Sequence, residues 1–247
     1  MALLIQTKLH APPVRPDLLP RPRLLARLHA GLQGPLMLIA APAGYGKTTL
    51  ALAGIAAAGA QAAWLSLDAG DNDSTRFLAY VLAALQAADP RLAAALAGLS
   101  DGPQPAPPEL VLTAIINHVA AAGADVVLVL DDYHVIHDAT VHALVTFLLE
   151  HAPPQLHLLL TTRADPPLPL ARLRARGHLV ELRAADLRFT AAEAAAFFAT
   201  VMHLELSAEL TASLAERTEG WIAGLQLAAL RLKQGTGEAA EAAAFVR

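Results

Sequence analysis

The sequence has no cysteine, only 4% aromatic residues and only 16% charged ones, with acids outnumbering bases. Missing thiols exclude disulfides and thiolate metal sites. A net charge of −4 argues against nonspecific nucleic-acid binding by the whole surface. No apolar run approaches the roughly 18 residues needed to cross a bilayer. Residues 1–8 lack the charged lead-in and long apolar core of a signal peptide, so the chain is read as cytoplasmic, with no membrane partner. What is plentiful is aliphatic. With 55% apolar residues in 247, the chain can bury the core of one large α/β domain plus a small appendage, and its composition is not that of a disordered chain.

Turn residues and periodicity divide the chain. Pro12, Pro13, Pro16, Pro20 and Pro22 mark an extended leading segment, followed by a short helix ending near Gly31. Apolar runs at 36–41, 62–67, 125–132, 156–162 and 178–183 read as strands, separated by helical segments near 47–58, 75–87, 109–122, 139–150 and 170–176. The run Val126 to Leu130 is apolar throughout, which predicts a strand buried on both faces, as in a parallel sheet. Strands alternating with helices imply an α/β domain. After Leu187 the strands stop. Thr190 with Glu193 forms a capping-box pattern, and further helices start at Ser207 and Gly220-Trp221. The expected division is 1–34, a leading segment and short helix; 35–187, the α/β core; and 188–247, a helical subdomain. Residues 102–108 read as a surface loop.

The stretch Ala41-Pro42-Ala43-Gly44-Tyr45-Gly46-Lys47-Thr48-Thr49 organises the rest. A buried strand, a glycine turn carrying Gly-Lys-Thr and then a helix is the setting of a phosphate-binding loop. Gly44 and Gly46 let successive backbone N–H groups curl around a phosphate, to which the helix N-terminus adds its positive end. Lys47 is placed to reach the β- and γ-phosphates, and the Thr48 hydroxyl to hold Mg²⁺. Ala41 stands where the usual pattern has glycine.

Asp131 and Asp132 close the most apolar strand, at the sheet edge that carries the loop. Asp131 is the expected Mg²⁺ holder, and Asp132 the residue that orients or polarises an attacking water. With a sheet order of 5-1-4-3-2, the strand ending at Thr162 lies between the loop strand and the acidic strand. Arg163 then emerges beside the γ-phosphate, where a guanidinium stabilises or senses charge. Asp68 is expected near Asp131. Asp68, Asp71 and Asp73 read as turn and helix-cap residues rather than a Ca²⁺ loop, because the required glycine and terminal glutamate are missing. His134, His137 and Asp138 lack a further ligand for a metal site. Arg172, Arg174, Arg176, Arg183 and Arg188 read as a solvated face, and Trp64 and Trp221 as packing residues.

Taken together, Ala41 to Thr49, Trp64 to Asp68 with Asp71-Asn72-Asp73, Leu128 to His134, Thr161-Thr162-Arg163, Leu187-Arg188-Phe189 with Glu193, and Thr218 to Trp221 resemble the nucleotide-binding domain of MalT-like transcriptional activators. These are large LuxR-tailed regulators of the signal-transduction P-loop ATPase class. The resemblance runs from about residue 5 to 233. It implies ATP and Mg²⁺ as ligands, slow hydrolysis that resets a switch, self-association in the ATP state, and DNA contact only through a C-terminal region absent here. It also implies that Arg163 senses the γ-phosphate and that Pro20 and Arg21 lie by the adenine. Ile222 departs from the proline many relatives carry, and the chain is read as the N-terminal portion of such a regulator. The alternative is a stand-alone P-loop ATPase or small-molecule kinase, for whose lid only the loop near 100–108 offers itself.

Overall fold

The computed structural model describes residues 4–13, 17–100 (97–100 as backbone) and 106–234. Its centre is a five-stranded parallel sheet: β1 (Leu36–Ala40), β2 (Gln61–Ser66), β3 (Val126–Asp131), β4 (Leu156–Thr162) and β5 (Leu179–Arg183). The spatial order is β2-β3-β4-β1-β5, the expected order read from the other edge. Registers Ala40↔Thr162, Ala40↔Arg183 and Ser66↔Asp131 bring all the carboxyl ends to one edge.

Alternation along the strands feeds two cores. Leu36 and Leu38 of β1, with Leu128, Leu130, Leu158 and Leu160, face a layer made by α3 (Ser74–Ala88), α4 (Leu92–Ser100), α5 (Pro108–Ala122), α6 (Ala139–His151) and α7 (Leu170–Ala175). Met37, Ile39, Val127, Val129 and Leu159 face α1 (Pro22–Gly31) and α2 (Lys47–Ala58). Burial on both faces is why β1, β3 and β4 are apolar almost throughout. A short turn, α8 (Ala184–Leu187), leads to α9 (Ala191–Ala196), which continues as a π turn through Val201, then to α10 (Ala208–Arg217) and α11 (Ile222–Lys233). These trailing helices bury a third core around Phe198, Leu214, Leu225 and Ala228.

The helix ends follow their cap chemistry. Asp73 accepts from the Arg76 N–H and starts α3, and Asp138 accepts from the Thr140 and Val141 N–H groups and starts α6. Thr190 and Glu193 form the reciprocal capping box of α9.

Two expectations change. Asp132 is not part of β3: it turns into the left-handed region at φ 60 and opens a 3-10 turn over Tyr133–Val135. The leading segment is not extended throughout, because Gln6–Leu9 forms a 3-10 turn. Its Lys8 ammonium is buried and bonds Asp71, which is fully buried, and Asp68. Most of the loop expected at 102–108, and the expected reach of the helical region over 235–247, lie outside the described residues. Among the described residues no helix is long and apolar enough to cross a membrane.

Candidate nucleotide-binding site

β1 delivers Ala41 into the core, where its N–H bonds the Thr162 carbonyl at 3.1 Å and only 2% of its surface is exposed. A methyl therefore fits where glycine is usual. The chain then turns through Gly44 (φ 77) and Gly46 (φ 74), left-handed values that favour glycine, into α2. Among the described residues the N–H groups of Ala43, Gly44, Tyr45 and Gly46 have no protein acceptor. The Ala43 carbonyl accepts from the Trp221 indole N–H at 3.1 Å, and the Gly44 carbonyl from the Ala223 N–H at 3.2 Å. In a trans peptide the N–H points opposite to the C=O, so the Gly44 and Tyr45 N–H groups face away from these two partners. That arrangement is an anion cradle.

Lys47, the first residue of α2, is buried, and its ammonium donates to the Pro42 carbonyl at 3.0 Å across the loop. Burial lowers its pKa, Arg163 adds to that, and Asp132 and Asp131 oppose it. The Thr48 hydroxyl donates to Asp131 at 2.9 Å, and the Thr161 hydroxyl donates to the same carboxylate at 2.6 Å. Burial raises the Asp131 pKa despite these two bonds. A buried carboxylate beside a hydroxyl, with no cationic side chain paired to it among the described residues, is a hard oxygen donor set that suits Mg²⁺. Thr48 and Asp131 are the residues that could hold it.

Asp132 sits at the open side, its N–H bonded to the Thr161 hydroxyl at 2.9 Å and its side chain 49% exposed. Arg163 lies just beyond β4, exposed and without a hydrogen bond or ion pair among the described residues. Its charge is felt at Lys47 and His134. The structure thus brings Lys47, Thr48, Asp131, Asp132 and Arg163 to one sheet edge.

Beside the loop opens a cavity of ≈ 380 Å³. Gly44, Tyr45, Gly46 and Thr49 form its loop side, Leu19, Pro20 and Arg21 another wall, and Phe189, Phe197, Met202 and Ile222 the wall from the trailing helices. Pro20 thus lines the cavity that adjoins the loop. Arg21 is placed differently from a free ligand contact. Its guanidinium bonds Glu193 at 3.0 Å and the Leu187 and Arg188 carbonyls at 2.9 and 2.8 Å, and it stacks over Phe189. It fastens the leading segment to the trailing helices and shapes the cavity through that.

Several residues were hidden from sequence reasoning. Trp221 is not simply a packing residue, because its indole N–H holds the phosphate loop. Ile222 reaches the cavity despite not being the expected proline. Asp68, two residues past β2, caps the 3-10 turn Ala69–Asn72 and pairs with Lys8 and Arg76. Asn72 instead clamps the segment after β3, donating to the Val135 carbonyl and accepting from the His137 and Asp138 N–H groups. The arginine set is largely neutralised: Arg172 pairs with Glu150, Arg174 with Glu181, Arg183 with Asp165 and Glu181, and Arg188 with Glu219. No group of three or more His, Asp or Glu that could hold a metal occurs among the described residues.

Residues 22–161, from the start of α1 to the last but one residue of β4, match the AAA ATPase domain. The chain belongs to the AAA ATPase domain family. The chain is also homologous to the HTH-type transcriptional regulator MalT of Serratia proteamaculans (strain 568), at 36% identity over 98% of its length and 26% of the relative. For MalT of Klebsiella pneumoniae subsp. pneumoniae the values are 35%, 98% and 27%. The chain therefore spans about a quarter of the length of these relatives. Among solved structures it resembles a signal transduction ATPase with numerous domains and a tetratricopeptide repeat sensor from Pyrococcus horikoshii, with TM-score 0.65, 19% identity, and coverage of 88% of this chain and 30% of that one. It also resembles Cdc6p from Pyrobaculum aerophilum, with TM-score 0.52, 13% identity, and coverage of 92% and 64%. At these identities the likeness concerns the fold: a parallel sheet flanked by helices.

Proposed function

We propose that the chain is the ATP-binding, slowly hydrolysing switch domain of a MalT-like transcriptional regulator. Residues 35–187 are the nucleotide-binding core, and the trailing helices from Ala191 to Lys233 are the part that moves. The observation that carries this reading is the pair of bonds from Trp221 and Ala223 to the carbonyls of Ala43 and Gly44. Through them, whatever fills the phosphate loop acts on the trailing helices without an intermediary. Lys47 and the loop N–H groups bind the phosphates, Thr48 and Asp131 hold Mg²⁺, Asp132 orients water, and Arg163 responds to the γ-phosphate. Pro20 and the wall behind Arg21 receive the adenine. In hydrolysis the water oxygen bonds to the γ-phosphorus, the bond to the β–γ bridging oxygen breaks with its electrons leaving on ADP, and the water protons pass to the products. A ligand shifts a two-state equilibrium only by its preference for one state, so the γ-phosphate contacts set the direction. In the cytoplasm, the ATP state would control self-association and promoter activation, with DNA met by the C-terminal part of such regulators.

The test is fluorescence titration of a Trp64→Phe chain, which leaves Trp221 as the reporter, since the sequence has two tryptophans. ATP and ADP should move its emission differently, and Arg163→Ala should abolish that difference while both nucleotides still bind. Lys47→Ala should remove binding. Identical responses of the parent to ATP and ADP would sink the switch reading.

A further inference from the structure

The cavity beside the phosphate loop is walled mostly by apolar side chains, among them Leu19, Pro20, Phe189 and Ile222. Pockets of this kind take a flat ligand by apolar contact and fix its orientation with a few polar groups. Most of the polar side chains here are committed or poorly suited to that task. The Arg21 guanidinium is held by Glu193 and two carbonyls, and Tyr45 packs against the core shared by α1 and α2. Asp17 is exposed, and a carboxylate only accepts. Gln226 is different. It is the one carboxamide in the lining, it is half-buried, and among the described residues its side chain makes no hydrogen bond.

α11 sets where that amide sits. Ala223 and Ile222 lie one turn before Gln226 on the same helix face. The Ala223 N–H bonds the Gly44 carbonyl at 3.2 Å, and Ile222 lines the same cavity. Helical side chains lean towards the helix N-terminus, which here is the end fastened to the phosphate loop. We propose that Gln226 is a specificity-determining residue that reads the bound base as adenine: its Oε1 accepts from the exocyclic amine and its Nε2 donates to N7. The inference rests on the nucleotide-binding reading and deepens it. A carboxamide carries an acceptor and a donor side by side, and this edge of adenine offers the matching donor and acceptor. The same edge of guanine offers two acceptors, so Oε1 would face an oxygen and be left unpaired. The base is thereby read by the helix whose first turn already holds the loop.

The experiment titrates the parent chain and Gln226→Met, which keeps the side-chain length without the amide, with ATP, GTP and 7-deaza-ATP in the presence of Mg²⁺. The last of these has a C–H group in place of N7. The parent should bind ATP roughly 10- to 100-fold tighter than GTP, the scale of one good bidentate contact, and 7-deaza-ATP should bind it roughly tenfold more weakly than ATP. In Gln226→Met the ATP-to-GTP preference should fall roughly tenfold or more, and 7-deaza-ATP should bind as ATP does. Gln226→Lys, which turns a donor to the two acceptors of guanine, should tilt the preference further towards GTP. Preferences are compared within each variant, so a general change in stability cancels. Equal weakening of all three nucleotides by Gln226→Met marks a packing role and overturns the inference. So does a parent that binds ATP and GTP alike, or ATP and 7-deaza-ATP alike. A parent that binds no nucleotide overturns the nucleotide-binding reading itself, and is told apart because it fails with every probe.

Discussion

Gly44→Ala should damage the phosphate loop in a way that separates backbone strain from contact with the trailing helices. Gly44 and Gly59 both adopt left-handed backbones, at φ 77 and φ 59. A side chain in that region costs about 1–2 kcal/mol. A Cβ at Gly59 would meet nothing within 4 Å, so Gly59→Ala should carry the backbone cost alone. A Cβ at Gly44 would lie 2.7 Å from the Trp221 Nε1 and 2.8 Å from the Ala223 Cβ. Such overlap adds about 1–3 kcal/mol, for a total of about 2–5 kcal/mol. At about 3 °C per kcal/mol for a chain of this size, melting should drop by about 3–6 °C for Gly59→Ala and about 6–15 °C for Gly44→Ala. Should α11 lift from the loop instead, the cost appears as a red shift of Trp221 emission in the Trp64→Phe background, with weaker ATP binding. Equal melting losses for the two variants, with Trp221 emission unmoved, would refute the claim that the trailing helices press on the loop.

Two further outcomes test ion pairs that tie the leading part of the chain to the rest of the fold. Lys8→Met leaves the fully buried Asp71 with Arg76 as its remaining cationic partner, and should cost about 3 kcal/mol in urea unfolding; a neutral result would show that Lys8 is dispensable. Burial pushes the Glu193 carboxyl up, but bonds from Arg23, Arg21 and the Thr190 N–H outweigh it and hold the pKa at about 2, against an ordinary 4.5. The folded value is lowered, so the stabilisation is complete above pH 4.5 and lost as pH falls towards about 2. Glu193→Gln should therefore melt below the parent at pH 7, and the gap between the two should shrink at pH 3. A gap constant with pH would remove the ion pairs from the account.

The parallel sheet was legible because its strands are buried on both faces: Val126 to Leu130 has one reading only. The loop was legible because Gly46-Lys47-Thr48 lies between such a strand and a helix with a glycine at each end. Asp131 followed from its place at the end of an apolar strand. Trp221, Arg21 and Asn72 were not legible in the same way. Each acts on backbone groups far away in sequence, and backbone acceptors carry no residue-type signal. The exit of Asp132 from the strand was equally hidden, since aspartate tolerates both extended and left-handed backbones. The buried Asp71 was concealed by its company. Next to Asp68 and Asp73 it resembled one more turn residue, and only the fold brings Lys8 to it.

The contact between Trp221 and the Ala43 carbonyl joins positions 178 residues apart. During synthesis the phosphate loop emerges early, in a stretch that is complete by Thr49, while its roof waits for almost every other described element to be made. Contacts of such long range are the last to form, because the intervening chain must be ordered first. A nascent or prematurely ended chain that stops before residue 221 would carry every residue of the loop yet lack the bonds that set its peptide planes. The final shape of the loop thus depends on chain that is made more than a hundred residues later.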